Sequence, residues 1–127
     1  MHGDMTPEQI EDVLLNERVG RIGCHAEGRT YIVPMSYRYD GEAVYGHSAD
    51  GLKVRTMRAN PEVCFEVEHI LDAASWRTVI AWGTYEELSG EEETTALHLL
   101  GAETEGLGRT IAYRIRLTEK TGRFERR

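Results

Sequence analysis

Long apolar runs are missing from this chain. None approaches the length of a membrane span, and the short polar start, Met1 to Thr6, lacks the apolar stretch that a signal peptide needs. Basic residues are scarce: 15 lysines and arginines stand against 22 aspartates and glutamates, a net charge of −7. Nucleic-acid binding needs a basic face, so nucleic acid is excluded as the main partner, while a small local basic pocket for one phosphate is not. Cysteine occurs only at Cys24 and Cys64, each in an apolar strand-like segment, and two buried thiols in a reducing cytoplasm are the expected reading. Metal chemistry lacks its spacing. Cys24, His25, Cys64 and His69 form no CxxC or HxxxH, and neighbours on a strand point to opposite faces. There is no GxSxG, no Walker loop and no GxGxxG after a strand, which leaves hydrolase and dinucleotide-Rossmann readings unsupported. Internal repeats, low-complexity tracts and linkers are also absent.

What is present fits one domain, residues 1–127, with a core large enough to need no staples. Residues 1–5 are expected to be frayed or foreign to the fold. Thr6-Pro7-Glu8-Gln9 reads as a capping box with proline at the first helical position, followed by an apolar face of Ile10, Val13 and Leu14. The helix should end near Asn16. The period then changes to two. Strands are expected over Val19 to Ala26, Thr30 to Tyr39, Glu42 to Ser48, Glu62 to His69, Ser75 to Leu88 and Thr110 to Leu117, with turns at Glu27-Gly28 and Asp40-Gly41. Gly83 in mid-strand suggests a bulge or barrel corner. Helices are expected over Gly51 to Ala59, stopped by Asn60-Pro61, and after a second capping box at Ser89 to Glu92, ending at Gly101. Residues 102–109 read as a polar loop and the last ten as a solvated tail or an edge strand. The sum is a mainly β fold: six antiparallel strands and short helices in a closed or nearly closed barrel, since closure removes aggregation-prone edges.

The stretch Val44-Tyr45-Gly46-His47-Ser48-Ala49-Asp50-Gly51-Leu52-Lys53 joins a strand to a helix. A helix's first turn presents unpaired N–H groups and a positive dipole end. Ser48, the backbone of 49–51 and Lys53 could together hold one phosphate, with Asp50 as N-cap turned away from it. The bland alternative is a capped helix after a strand. His47 is either a hydrogen-bonded structural residue or a proton donor, nucleophile or metal ligand. Trp76, Thr78, Ile80 and Trp82 share one strand face, which suits a core or dimer interface, or a wall against a planar cofactor.

The run from Val19 to Lys53, with Met57-Arg58-Ala59-Asn60-Pro61 and Ser75 to Leu88, resembles the pyridoxamine 5′-phosphate oxidase-like flavoproteins, and within them the nitroimidazole-resistance subgroup. Its most specific parts are Pro34-Met35-Ser36-Tyr37, Tyr45-Gly46-His47-Ser48 with Lys53, Asn60-Pro61, and Trp76-Arg77-Thr78 with Trp82-Gly83. The resemblance implies a six-stranded FMN-binding split barrel that forms a homodimer, with an FMN site at each side of the subunit interface. It implies that Val33, Pro34, Met35, Ser36 and Tyr37 lie along the isoalloxazine ring and offer backbone groups to its polar edge. It further implies that His47, Ser48 and Lys53 lie near the ribityl phosphate, that Thr78 is a polar flavin contact, and that His47 is linked to activity. The family often has Gly-Arg-Lys where this chain has Gly51-Leu52-Lys53, so one phosphate-binding cation is replaced; Arg55, Arg58 and Arg77 are the candidates to compensate. The implied function is an FMN-dependent, cytoplasmic oxidoreductase acting on nitroaromatic or other small planar acceptors. The alternative on the same fold is a non-catalytic flavin- or haem-binding protein for storage or sensing.

Overall fold

A computed structural model describes residues 1–102 and 110–127, so the loop expected at 102–109 lies almost wholly outside the described residues. Thr6 caps helix α1 (Pro7–Asn16) through both arms of the capping box, and Ile10, Val13 and Leu14 are its buried face. Strand β2 (Val19–Ala26) turns back at Glu27 and Gly28, whose φ values of 52° and 77° are the two positive angles that a type I′ hairpin requires. Strand β3 (Arg29–Ser36) follows, then a break at Tyr37, then the two-residue β4 (Arg38–Tyr39). The single strand expected over Thr30 to Tyr39 is therefore two. The tyrosine between them leaves the ladder to give its N–H to the Arg18 carbonyl at 2.9 Å.

After β5 (Ala43–Ser48) and α2 (Leu52–Ala59), two long strands form a hairpin, β6 (Glu62–Asp72) and β7 (Ser75–Glu87). Helix α3 (Gly90–Leu99) precedes β8 (Ile111–Glu125). Ser89 makes no side-chain cap bond, contrary to the second capping box expected there, and Glu92 instead receives Arg114 at 2.8 Å.

Among the described residues the strands number eight rather than six. They pair antiparallel in the order β3-β2-β6-β7-β8-β5-β4, with β1 (His2–Asp4) added to the far end of β8. The sheet curls but does not close, since β3 and β4 remain its two edges. The C-terminal segment expected as a tail or an edge strand is the continuation of β8, hydrogen-bonded on both sides by β7 and β1. The start of the chain is likewise built into the sheet, and Met5 is buried, so residues 2–5 are not frayed. Register shifts between Trp82 and Gly83, where the sequence suggests a bulge. A Cβ on Gly83 would lie 2.3 Å from the Arg116 carbonyl oxygen, so the strands can cross there only at a glycine. The inward residues of all the long strands and the α1 face make one core around Ile22, Phe65, Val67, Val79, Tyr113 and Ile115; a smaller cluster of Leu88, Ala96, Leu97 and Ala112 seats α3 on the other side of β5 and β8. No helix among the described residues is long and apolar enough to cross a membrane.

Candidate functional site

The end of β5 and the start of α2 form the site's frame. The N-cap of α2 is Gly51, in extended conformation and without a side-chain bond. Asp50, expected as the cap, is turned to Arg58 at 3.5 Å. The first-turn N–H groups of α2 thus receive no side-chain acceptor, which leaves them for an anion. The Lys53 side chain folds back toward the barrel interior, its Nζ 5.9 Å from the centroid of the Tyr113 ring. It is half-buried, and among the described residues no carboxylate reaches it. Burial pulls its pKa below the usual lysine range, and the nearby Cys24 thiol only partly opposes this. Of the three arginines that could stand in for the cation missing at Leu52, Arg58 is held by Glu87 and Asp50, and Arg77 lies 4.0 Å from Asp12. Arg55 stands at the helix start, its Nε giving a 3.4 Å bond to the Gly51 carbonyl, with no carboxylate partner among the described residues.

Beneath Lys53 lies a residue that strand alternation marks only as inward-facing. Tyr113 is fully buried, and its hydroxyl has no hydrogen-bond partner among the described residues. Burial drives its pKa well above the usual phenol value. A Cβ on Gly46, its cross-strand partner, would sit 2.8 Å from that hydroxyl and 2.7 Å from Met35 Cε. Gly46 is therefore what lets Tyr113 and Met35 meet under β5.

The structure does not bring the expected site residues to one place. Ser48, Gly46 and Lys53 belong to the interior side of β5. His47 leaves the strand on the opposite side with Tyr45, opposite Ala112 in the ladder, where α3 packs. Its side chain makes no hydrogen bond among the described residues. On β3, Met35 is buried and Val33 half-buried on the core side, whereas Pro34 and Ser36 face outward. Tyr37 is a core residue. It is fully buried, its hydroxyl gives 2.9 Å to the Leu14 carbonyl, its carbonyl receives Arg38, and its ring meets Phe65 edge-on at 5.0 Å. It has no side-chain surface to offer an isoalloxazine ring. Thr78 lies on the outer face of β7, between Glu68 and Arg123. Its strand position is nine residues from Glu87, the register partner of Tyr113. At about 3.3 Å per residue that is roughly 30 Å along the sheet, farther than one flavin mononucleotide spans.

The outer sheet face carries Ile32, Ile80 and Trp82, all exposed, and holds a shallow cleft of about 620 Å³ lined by Gly23, Ile32, Cys64 and Trp82 among others. A second cavity of about 530 Å³ lies between α1 and the ends of β7 and β8, lined by Val13, Leu71, Trp76, Arg77 and Phe124. Neither is lined by His47, Ser48 or Lys53. On the outer face, Arg21 Nη1 reaches Glu68 at 2.9 Å and Glu66 at 3.3 Å. Burial and the neighbouring Glu68 raise the Glu66 pKa to about 7, while Glu66 and Arg21 push that of Glu68 down. Their i, i+2 spacing on a strand puts both glutamates on one face; that Arg21 joins them depends on β2 pairing with β6. Among the described residues, no three His, Cys, Asp or Glu side chains converge as metal ligands.

An antiparallel barrel left open between two edge strands defines a class: small split-barrel proteins. The family model for pyridoxamine 5′-phosphate oxidase matches residues 6–124, and the chain belongs to the pyridoxamine 5′-phosphate oxidase-like family. Among solved structures, an FAD-binding protein of Mesorhizobium loti is 28% identical, with 99% of each chain covered and a TM-score of 0.87. The FAD binding protein of Mycobacterium smegmatis is 25% identical, with 98% of each chain covered and a TM-score of 0.74. A candidate 5-nitroimidazole antibiotic resistance protein of Bacteroides thetaiotaomicron is 20% identical over 98% of this chain and 87% of its own, with a TM-score of 0.79, which is a likeness of fold. An uncharacterised protein of Rhizobium meliloti is 31% identical over 84 residues, 66% of this chain, and the match spans 56% of that relative's length.

Proposed function

We propose that this protein binds FMN by its phosphate at the start of α2 and, as a homodimer in the cytoplasm, reduces small planar acceptors such as nitroaromatics. One observation carries the reading: Lys53 is a half-buried cation with no anionic partner among the described residues, placed beside a helix start that has no side-chain cap. A buried charge without a partner is costly, and a bound phosphate supplies the partner. Lys53 and the N–H groups of α2 hold the phosphate, Arg55 adds charge from the rim, and Ser48 can turn its hydroxyl from the Ala49 carbonyl toward the ribityl chain. Pro34 and Ser36 offer the outward side of β3 to the ring. The bound flavin supplies hydride and electron transfer. Thr78 lies too far along the sheet to share a flavin with Lys53 of the same chain, so a second copy supplies it.

The test is a flavin titration followed by fluorescence quenching. A charge-assisted contact is worth about 1.5–3 kcal/mol, so Lys53→Ala should raise Kd by roughly 10- to 100-fold at low salt and by less at high salt. Equal loss at both salts would contradict the charge role. A second reading, FAD in place of FMN, is favoured by the two relatives named for FAD at 28% and 25% identity. Chromatography of the flavin released from the purified protein decides between them. A Soret band, or a colourless protein that ignores both flavins, would support the non-catalytic or empty-barrel alternatives instead.

A further inference from the structure

The inward face of the sheet changes character at one end. On β6 the inward positions run Val63, Phe65, Val67 and then His69; on β7, read toward its start, they run Ala81, Val79 and then Arg77. Val67, Val79 and Gly122 form one register row across β6, β7 and β8, and α1 closes over it: a Cβ on Gly122 would meet Ile10 and Met5 at 2.8 Å. The next inward row is His69, Arg77 and Phe124, and it is not closed. With Val13, Leu71 and the half-buried Trp76 it lines the cavity of about 530 Å³ beside α1. Alternation calls for apolar side chains at inward strand positions. An arginine and a histidine there, among apolar and aromatic walls, are the mix of a small-molecule pocket, and the volume is ordinary for one.

What the cavity lacks identifies the ligand. Two of its three carboxylates accept close partners: Glu17 lies 2.9 Å from His69 Nδ1, and Asp12 takes the Asn16 amide at 3.0 Å. The third, Glu125, stands between the Met1 amine at 4.0 Å and His2 at 3.9 Å. The guanidiniums keep donors to spare, since each carries five N–H groups. Arg77 has only Asp12, at 4.0 Å, beyond hydrogen-bond reach. Arg126 lies over the Phe124 ring at 5.8 Å and gives one contact, to Met1 Sδ at 3.7 Å. The complement is a flat apolar ring that brings its own charged acceptor oxygens. A carboxylate meets a guanidinium with two parallel hydrogen bonds and a full charge; a nitro group has the two oxygens without the charge. We propose that this cavity binds a small aromatic carboxylate, its ring among Val13, Leu71, Trp76 and Phe124 and its carboxylate on Arg77, displacing Asp12. The inference does not rest on the flavin reading, since it uses neither Lys53 nor the start of α2.

The experiment is a fluorine NMR titration of the full chain with para-fluorobenzoate and, as its uncharged counterpart, para-fluorobenzyl alcohol. The acid should saturate one site per chain and bind roughly 10-fold more tightly than the alcohol, the usual scale of a charge-assisted pair. Arg77→Gln should bring the acid down to the level of the alcohol and leave the alcohol unchanged. Asp12→Asn removes the competitor for Arg77 and should tighten the acid alone. Leu71→Asp sets a negative charge at an exposed position of the wall, where folding is not at stake, and should weaken the acid more than the alcohol. Equal affinity for acid and alcohol, no saturation by millimolar acid, or an acid Kd that Arg77→Gln and Leu71→Asp leave unchanged would each overturn the proposal. So would acid binding that Lys53→Ala abolishes and Arg77→Gln spares, which would place the acid at the start of α2 and leave the phosphate reading there standing.

Discussion

Tyr37 and Tyr113 are both fully buried, yet removing their hydroxyls should change stability in opposite directions. The Tyr37 hydroxyl gives a 2.9 Å bond to the Leu14 carbonyl, one of the last-turn carbonyls that α1 cannot satisfy internally. Tyr37→Phe deletes the bond and strands a buried acceptor, so it should cost about 1–2 kcal/mol. The Tyr113 hydroxyl has no partner among the described residues, and its desolvation is uncompensated. Tyr113→Phe keeps the ring and its tilted contact with Tyr85 at 5.4 Å while removing the orphan group. A buried unsatisfied polar group costs about 1–3 kcal/mol, so this variant should be stabilised by roughly 1–2 kcal/mol. For a chain of this size that is about 3–5 °C in Tm per kcal/mol. The assay is urea unfolding of flavin-free protein at fixed concentration, comparing midpoints at constant m. A Tyr113→Phe variant less stable than wild type by 1 kcal/mol or more would show that the hydroxyl is satisfied in the fold and would refute the argument.

Gly83→Ala should be far more damaging than Gly46→Ala. At Gly83 the new methyl meets a backbone carbonyl that cannot yield, whereas at Gly46 it meets the flexible end of Met35 and the Tyr113 hydroxyl. Urea midpoints should show about 1–3 kcal/mol lost at Gly46 and more than that, or no folded protein, at Gly83. His47→Ala should leave stability within about 1 kcal/mol and flavin affinity unchanged, because His47 and Lys53 lie on opposite sides of β5, while lowering turnover of a nitroaromatic acceptor; unchanged turnover would make His47 structural. Because burial lowers the Lys53 pKa, flavin affinity should start to fall with rising pH below the usual lysine value of 10.5. Lys53→Ala should lose that dependence, and an identical pH profile in both proteins would show that the lysine carries no charge to the ligand.

Local signals settled what local physics controls. The capping box of α1, the boundaries of β2, the glycine-dependent turn at Glu27-Gly28 and the alternation along β7 are all legible in the sequence because each depends on residues within one turn or one strand. The split of His47 and Ser48 to opposite faces follows from the period of two alone, and so does the shared face of Glu66 and Glu68. The charged and polar segment from Thr118 to Glu125 has no apolar alternation to mark it as a strand. It is ordered by hydrogen bonds to β7 and β1, partners distant in sequence. Tyr113 reads as one more inward aromatic until Gly46, Met35 and Lys53 are brought around it, leaving its hydroxyl without a partner. Tyr37 shows the reverse: its motif matches a flavin-contact segment, but the fold spends the side chain on the end of α1. Periodicity and capping are decided among neighbours in the chain. Whether a buried hydroxyl, lysine or carboxyl pair finds a partner is decided by what the other strands bring, and only the tertiary structure holds that.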